Sequence, residues 1–193
     1  MPQALGIGEW VDLLAAVPAK EFTLSNVEDF LREHTINPET LGPYLFFSKA
    51  SYTRNLIFKN ELFECLTICW DIGQVGRIHN RRGQHCWMAT PIGRLRVQNF
   101  RVEDRDPEAG TCRLVATNSF DMDTDHPATV DPHEPVHQVL NLREFGKRAV
   151  SVHIYLHPFD SCEVYSLEKG TYFDAPLYYT SEYGQLSPEE QLL

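Results

Sequence analysis

The sequence predicts a fold dominated by β-strands with helices at its N-terminus, and three observations support this prediction. Short segments rich in β-branched and aromatic residues recur from about residue 52 onward. Clusters of Gly, Pro, Asp and Asn separate these segments, and residues 91–93 (Pro-Ile-Gly) predict a hairpin turn. Helix-period segments do not alternate with the strands, which favours an antiparallel sandwich or barrel.

The predicted strands are short and evenly spaced. They cover residues 55–58, 62–70, 86–90, 95–100, 112–116, 136–140, 150–156 and 162–166. We expect an exposed polar loop over residues 104–110, where charged residues and glycine replace the apolar pattern.

The first 45 or so residues follow a helical period instead. Trp10, Leu14 and Val17 recur at helix spacing together with Leu13, and Pro18 ends that stretch. A second and a third helix should follow. We therefore expect a helical segment over residues 1–48, packed on a barrel that spans residues 52–180, with residues 1–193 forming a single domain.

Two further sequence signals place the starts of these later helices. Ser25 and Glu28 have the spacing of a capping box, which predicts that the second helix begins there. Asn37 followed by Pro38 is typical of the cap and first turn of a third, short helix.

Composition and charge exclude several classes of function. The chain has 17 Lys and Arg against 27 Asp and Glu, a net charge of −10, and therefore lacks the cationic surface that nucleic acid or anionic lipid requires. No 18-residue apolar run and no export signal is present, so we expect no membrane association. Five cysteines, an odd number without a Cys-x-x-Cys pair, suit a reducing compartment, and we expect a cytoplasmic location.

A first motif runs from Gly73 through His79 and Arg81 to Cys86 and Gly93. Its spacing resembles the first motif of the cupins, small jelly-roll β-barrels in which a glycine turn leads into a His-x-His strand, followed by a carboxylate and a hairpin glycine. Residues i and i+2 of a strand point to the same face. Positions 79 and 81 should therefore both project into the barrel.

A second motif resembles the second cupin motif. It comprises residues 132–137 (Pro-His-Glu-Pro-Val-His) and Asn141, with Glu134 where a glycine is common. The resemblance implies that His137 is a metal ligand, which closure of the barrel would bring beside His79. A small barrel has room inside for such a site and one small ligand.

Further motifs narrow the resemblance to the cysteine dioxygenase family. Residues 52–56 resemble its Tyr-Thr-Arg-Asn-Leu signature, whose Tyr and Arg hold the substrate carboxylate. Residues 151–155 resemble its Ser-x-His-x-Tyr series, and residues 158–162 also follow the family. Cys86 falls where the family has a cysteine that some members cross-link to the tyrosine matching Tyr155. The resemblance covers roughly residues 52–162.

This resemblance implies a monomeric enzyme that uses Fe(II) and O2 to oxidise L-cysteine to cysteine sulfinic acid. The implied metal ligands are His79 and His137, the implied substrate-binding residues are Arg54 and Tyr52, and the implied catalytic residues are Tyr155, His153, Ser151 and Cys86. The chemistry agrees with these roles. Imidazoles leave Fe(II) with open positions for a thiolate and dioxygen, and a guanidinium can hold a carboxylate bidentately.

Purely structural interpretations of the same residues remain open. Arg54 could form a surface salt bridge, Tyr155 and His153 could be a hydrogen-bonded core pair, and Cys86 could pack as a small apolar residue.

The chain departs from the family at Arg81, where the resemblance implies a second histidine ligand. A guanidinium has no acceptor atom and is always charged, so it is not an ordinary metal ligand. Three outcomes are open. Iron could be held by His79 and His137 with water or another ligand, His85 could replace the missing imidazole, or metal binding could be largely lost, leaving a cupin that binds a small carboxylate or thiol ligand.

Overall fold

The computed structural model describes residues 3–130 and 136–188. Two α-helices lie in the N-terminal region, α1 (Ile7–Ala15) and α2 (Leu24–Glu33), and three 3₁₀ helices cover Ala19–Glu21, Pro38–Tyr44 and Arg143–Phe145. The strands are β1 (Gln3–Leu5), β2 (His34–Ile36), β3 (Thr53–Lys59), β4 (Phe63–Trp70), β5 (Ile78–His79), β6 (Cys86–Ile92), β7 (Leu95–Asp106), β8 (Thr111–Met122), β9 (Ala128–Thr129), β10 (Val136–Leu140), β11 (Ala149–Leu156), β12 (Ser161–Ser166), β13 (Thr171–Pro176), β14 (Ser181–Glu182) and β15 (Gln185–Leu186). The predicted fold class is confirmed.

Helix α1 confirms the helical period of the N-terminal segment. It buries Ile7, Trp10, Val11 and Leu14, whereas Leu13 is 43% exposed and belongs to the solvent face. The buried stripe packs on the outer face of the large sheet. Within residues 3–130 and 136–188, every helix is too short and too polar to traverse a lipid bilayer.

The start of α2 differs from the prediction. The helix begins at Leu24, and the side chain of Thr23 accepts a hydrogen bond from the backbone N–H of Asn26. The proposed capping box at Ser25 is therefore wrong, because Thr23 is itself a good N-cap residue and starts the helix two residues earlier. The third predicted start is confirmed, since the Asn37 side chain accepts from the N–H of Glu39.

Two large sheets form the body of the molecule. One has seven strands in the order β15-β14-β3-β4-β11-β6-β9, and the other is closed in the order β10-β5-β12-β13-β8-β7. Some neighbours are hairpins, such as β7 and β8, whereas others, such as β4 and β11 or β5 and β10, come from distant parts of the chain, and most pairs are antiparallel. This is the jelly-roll arrangement of a cupin.

All eight predicted strands are present, and the prediction for β10 matches end to end. The hairpin of β7 and β8 is longer than predicted, so the loop expected over residues 104–110 is a turn at residues 107–110. Cross-strand pairs stabilise this extension, including one between Arg113 and Asp104. The sequence pattern missed short strands that pairing alone stabilises, namely β1, β2, β5, β9, β14 and β15, as well as β13.

The side chains of strand β11 contribute to two different hydrophobic clusters, one against the N-terminal helices and one between the two sheets. Val150, Val152 and Ile154 pack in the same cluster as the N-terminal helices. Tyr155 packs instead with residues between the two sheets, such as Met88. Since alternate residues of a strand point to opposite faces, residues 151, 153 and 155 all face the interior.

Gly93 closes the turn between β6 and β7 with a φ of 79°. A Cβ atom there would lie 2.6 Å from the carbonyl oxygen of Arg148. We expect Gly93→Ala to lower the free energy of unfolding by about 2 kcal/mol, measured by urea denaturation. Gly8→Ala is the control, because a Cβ on Gly8 meets nothing within 4 Å and lies in a helix. Equal stability of the two variants would contradict the prediction.

Candidate active site

A cavity of about 460 Å³ opens where strand β3 of the large sheet faces β5, β12 and β13 of the barrel. This volume suits a small-molecule ligand. Among the described residues that line it, three are arginines, Arg54, Arg77 and Arg81, and none is acidic. The cavity is therefore strongly cationic in a chain whose net charge is negative.

Arg54 projects from β3 into this cavity. Its Nε is buried without a hydrogen-bond partner among the described residues. Its guanidinium carbon lies 5.7 Å from the ring centroid of Tyr155 and 5.9 Å from that of Tyr179. Burial opposes its charge, but electrostatic interactions with Tyr155 and Glu64 raise the pKa of Arg54. A buried N–H group without a hydrogen-bond partner favours binding of an acceptor, and an anion in the cavity would supply one to Arg54.

Tyr52 lines the same cavity as Arg54. Its ring stacks on that of Trp70, with the centroids 4.7 Å apart and the planes 26° from parallel. This stacking fixes the tyrosine at the wall of the cavity.

Glu64 is a functional candidate that the sequence analysis missed. Its side chain is fully buried, accepts a hydrogen bond from the Tyr179 hydroxyl and lies 3.7 Å from Lys59 Nζ. On β4 it stands directly opposite Tyr155 of β11. An acidic residue within the apolar run of residues 63–70 is the signal that could have identified it, because buried carboxylates need partners.

The closed sheet brings together the two histidines that the sequence singled out. His137 of β10 is directly opposite His79 of β5, and the ring centroids are 4.7 Å apart. His79 Nδ1 lies 2.8 Å from the carbonyl oxygen of Arg77, to which it donates. Burial and the charge of Arg81 lower the pKa of His79 to about 3, so its ring is neutral at neutral pH.

Arg81 also points inward and is 2% exposed. Its Nη2 lies 3.0 Å from His137 Nε2, and its guanidinium carbon lies 4.4 Å from the ring centroid of Tyr155. Since arginine only donates hydrogen bonds, His137 Nε2 is the acceptor. The lone pair that a metal ion would use is therefore directed at a guanidinium.

Behind Arg81 lies a buried hydrogen-bonded series. The Tyr155 hydroxyl is 3.0 Å from His153 Nδ1, and His153 Nε2 is 2.8 Å from Ser151 Oγ. Trp70 Nε1–H donates to the same Ser151 oxygen at 3.0 Å. Burial, together with the charges of Arg81 and Arg54, lowers the pKa of His153, which keeps its ring neutral.

The direction of the protons in this series follows from Trp70, which only donates. Ser151 accepts from Trp70, so its own hydroxyl is satisfied when it donates to His153 Nε2. His153 then carries its proton on Nδ1 and donates to the Tyr155 oxygen. In this arrangement the Tyr155 O–H remains available to a ligand.

Cys86 lies directly opposite Tyr155 across the β6–β11 pair. The thiol is fully buried, and burial raises the pKa of Cys86 to about 11. It is therefore protonated at neutral pH.

The hypothesis that His85 replaces the missing imidazole is wrong. Its ring lies 5.9 Å from that of Trp87, which packs against the N-terminal helices on the outer face of the sheet. Arg82 and Gly83 adopt positive φ angles, and this turn resets the alternation so that Cys86 faces the interior and His85 does not. Among the described residues, no group of three or more His, Cys, Asp or Glu is placed to hold a metal ion.

The cavity does not reach every candidate residue. Tyr52, Arg54 and His79 line it, whereas His137 and Tyr155 do not. Arg81 lines the cavity and also contacts both of these inner residues. The guanidinium of Arg81 therefore stands between a ligand in the cavity and the inner part of the site. Residues 132–135 of the second motif, including Glu134, lie outside the described residues.

Comparison with protein families matches residues 9–168 to the model of cysteine dioxygenase type I. The chain belongs to the cysteine dioxygenase type I family. It is 26% identical over 168 residues to cysteine dioxygenase type 1 of Danio rerio, which covers 86% of this chain and 82% of the relative. The corresponding Rattus norvegicus protein is 25% identical, over 87% and 82%. Family members are non-haem iron oxidoreductases.

Comparison with solved structures finds cupins at lower similarity. One is an uncharacterized conserved protein with a double-stranded β-helix domain from Klebsiella pneumoniae, with a TM-score of 0.44 and 11% identity over 65% of this chain and 94% of that one. Another is an RmlC-like cupin protein from Desulfovibrio desulfuricans, with a TM-score of 0.37 and 13% identity over 60% and 91%.

The residues of this chain do not fit the iron site that the family implies. Two imidazoles, His79 and His137, are adjacent, but the fixed positive charge of Arg81 occupies the third position and donates to Nε2 of His137. No third ligand is available within the described part of the chain. A divalent cation placed there would be repelled by Arg81 at close range.

Proposed function

We propose that this chain is a thiol dioxygenase of the cysteine type that converts L-cysteine to cysteine sulfinic acid with Fe(II) and O2, and that Arg81 impairs it. In the overall reaction the thiol takes up both atoms of O2 and no other reactant is needed. The family membership supports the reaction class. The observation that carries the choice of substrate is the guanidinium of Arg54 at the cavity, whose Nε is buried without a hydrogen-bond partner among the described residues.

Arg54 supports a substrate with a carboxylate. A guanidinium presents two parallel N–H groups that match carboxylate geometry, and burial strengthens such a charge-assisted pair. Tyr52 lines the same cavity, and in this proposal its hydroxyl donates to the same carboxylate. The proposal therefore favours L-cysteine over thiols that lack a carboxylate.

The interior series supports a role for Tyr155 in orienting the bound molecule. Its hydroxyl is held by His153, which is held by Ser151, so the phenol cannot rotate freely. With Arg81 in place, however, a ligand meets the guanidinium before it meets Tyr155. This geometry is the reason for expecting impaired turnover.

A second candidate function is favoured by the contact between Arg81 and His137. In this candidate function Arg81 keeps His137 from a metal ion, and the chain is a metal-poor, catalytically inactive cupin that binds a small carboxylate or thiol ligand. The two candidate functions predict different metal contents and different rates of oxygen consumption. Both place the ligand carboxylate at Arg54.

We expect the purified, untagged protein to contain iron well below one atom per chain. Loss of supporting groups weakens metal sites by about 10- to 100-fold, and loss of a ligand should cost at least as much. Elemental analysis, combined with oxygen uptake in the presence of Fe(II) and L-cysteine, checks this. Full iron occupancy would exclude the metal-poor candidate, and full occupancy without cysteine-dependent oxygen uptake would exclude the dioxygenase.

The remaining parts of the proposal concern location and partners. We propose a cytoplasmic monomer whose partners are L-cysteine and O2, without nucleic acid or membrane. The negative net charge supports the lack of polyanionic partners. All five cysteines are buried free thiols, which agrees with a reducing compartment.

A further inference from the structure

We propose that the cavity binds small molecules with two anionic groups, one held by Arg54 and the other by Arg81. This inference deepens the proposed function, because it rests on that function for the carboxylate at Arg54. Short dicarboxylates and amino acids with a terminal sulfinate have this chemistry.

Arg81 is a buried cation that lacks a complete set of hydrogen-bond partners among the described residues. It is 2% exposed and lines the cavity, and its Nε is buried without a hydrogen-bond partner among the described residues. Its contacts to His137 and Tyr155 are a hydrogen bond to a neutral ring and a cation–π contact. Neither contact supplies a negative charge, so the buried guanidinium lacks an anionic partner there.

The described residues around the cavity carry little negative charge. No described lining residue is acidic. Glu64 is close to Arg54, but it already accepts from Tyr179 and lies near Lys59. Glu163 is paired with Arg105, outside the cavity. Within the described part of the chain, two guanidinium groups, each with a buried and unpaired Nε, therefore face one cavity that has no acidic lining residue, and an anionic ligand would supply negative charge to both.

The guanidinium groups of Arg54 and Arg81 lie close enough together for one short ligand. Their guanidinium carbons lie 4.4 and 5.7 Å from the same Tyr155 ring centroid, so they are separated by no more than the sum of these distances. A short molecule can contact both at once. Because each contact is charge-assisted and at least partly bidentate, a ligand with two anionic ends should bind about 10- to 100-fold more tightly than one with a single anionic end.

Calorimetric titration of the chelator-treated protein tests this proposal with matched pairs of probes. Succinate is compared with butyrate, and L-cysteine sulfinate with L-2-aminobutyrate. The doubly anionic member of each pair is expected to bind at least tenfold more tightly. In Arg81→Gln the ratio of the two affinities within each pair is expected to fall to near one. Arg54→Gln should weaken the binding of all four probes.

Arg82→Gln is the matched control, because Arg82 is adjacent in sequence but 42% exposed, paired with Asp174 and outside the cavity lining. It should retain the full ratio. Arg81→Lys keeps a cation at this position, so its ratio of affinities within each pair should stay above one. This variant distinguishes the loss of the charge from a loss of folding in Arg81→Gln. Equal affinity within each pair for the wild-type protein, or an unchanged ratio in Arg81→Gln, would overturn the proposal. Since the chelator-treated protein holds no metal and none of the four probes is a thiol, this outcome is independent of whether the protein turns over L-cysteine.

Discussion

Arg81→His is expected to convert a metal-poor protein into one that binds iron. The substitution removes a fixed charge that lies 3.0 Å from His137 Nε2 and adds an imidazole on the same inward-pointing position. Relief of charge repulsion at such a distance, in a partly screened interior, corresponds on its own to a gain of on the order of 100-fold or more in affinity. Cysteine-dependent oxygen uptake should rise with the iron content.

Two controls distinguish the effect of the added imidazole on iron content from the effect of removing the positive charge. Arg81→Met removes the charge without adding a ligand, so its iron content should lie between those of the wild type and Arg81→His. Arg82→His adds an imidazole on an exposed neighbour and should leave the iron content unchanged. The hypothesis fails if elemental analysis finds no more iron in Arg81→His than in Arg81→Met.

Trp87→Ala is expected to produce the largest loss of stability, about 3 to 5 kcal/mol in the free energy of unfolding. Trp87 is fully buried on the outer face of the large sheet. Its ring meets that of Phe22 edge to face at 5.8 Å, and its Nε1–H donates to the carbonyl oxygen of Leu24 at 3.0 Å. The side chain thus joins strand β6 to the N-terminal helical segment.

Guanidinium denaturation followed by circular dichroism measures this loss. We propose that residues 1–193 unfold as one domain, so Trp87→Ala should shift a single transition rather than create a second one. Leu13→Ala is the control, because Leu13 lies on the exposed face of α1 and its loss should change stability by less than about 0.5 kcal/mol. Two separate transitions in Trp87→Ala would show that the helical segment is an independent unit.

The sequence by itself determined the fold class and the motifs that contain the candidate site residues. Strand-forming segments around β3, β4, β6, β10 and β11 were recognisable because their alternation and composition are local properties. The motifs at residues 52–56 and 151–155 identified the family before any coordinates, and the family match over residues 9–168 agrees. The inward direction of Arg81 also followed from strand periodicity.

Only the tertiary structure decided what Arg81 contacts and what it blocks. Its bond to His137 joins residues 56 positions apart in sequence, and its contact with Tyr155 spans an even longer separation. The exclusion of His85 depended on backbone angles at Arg82 and Gly83, which residue types do not specify. Glu64 became a candidate for the same reason: the burial of a carboxylate depends on the neighbours that the sheets bring together, and those neighbours are distant in the chain.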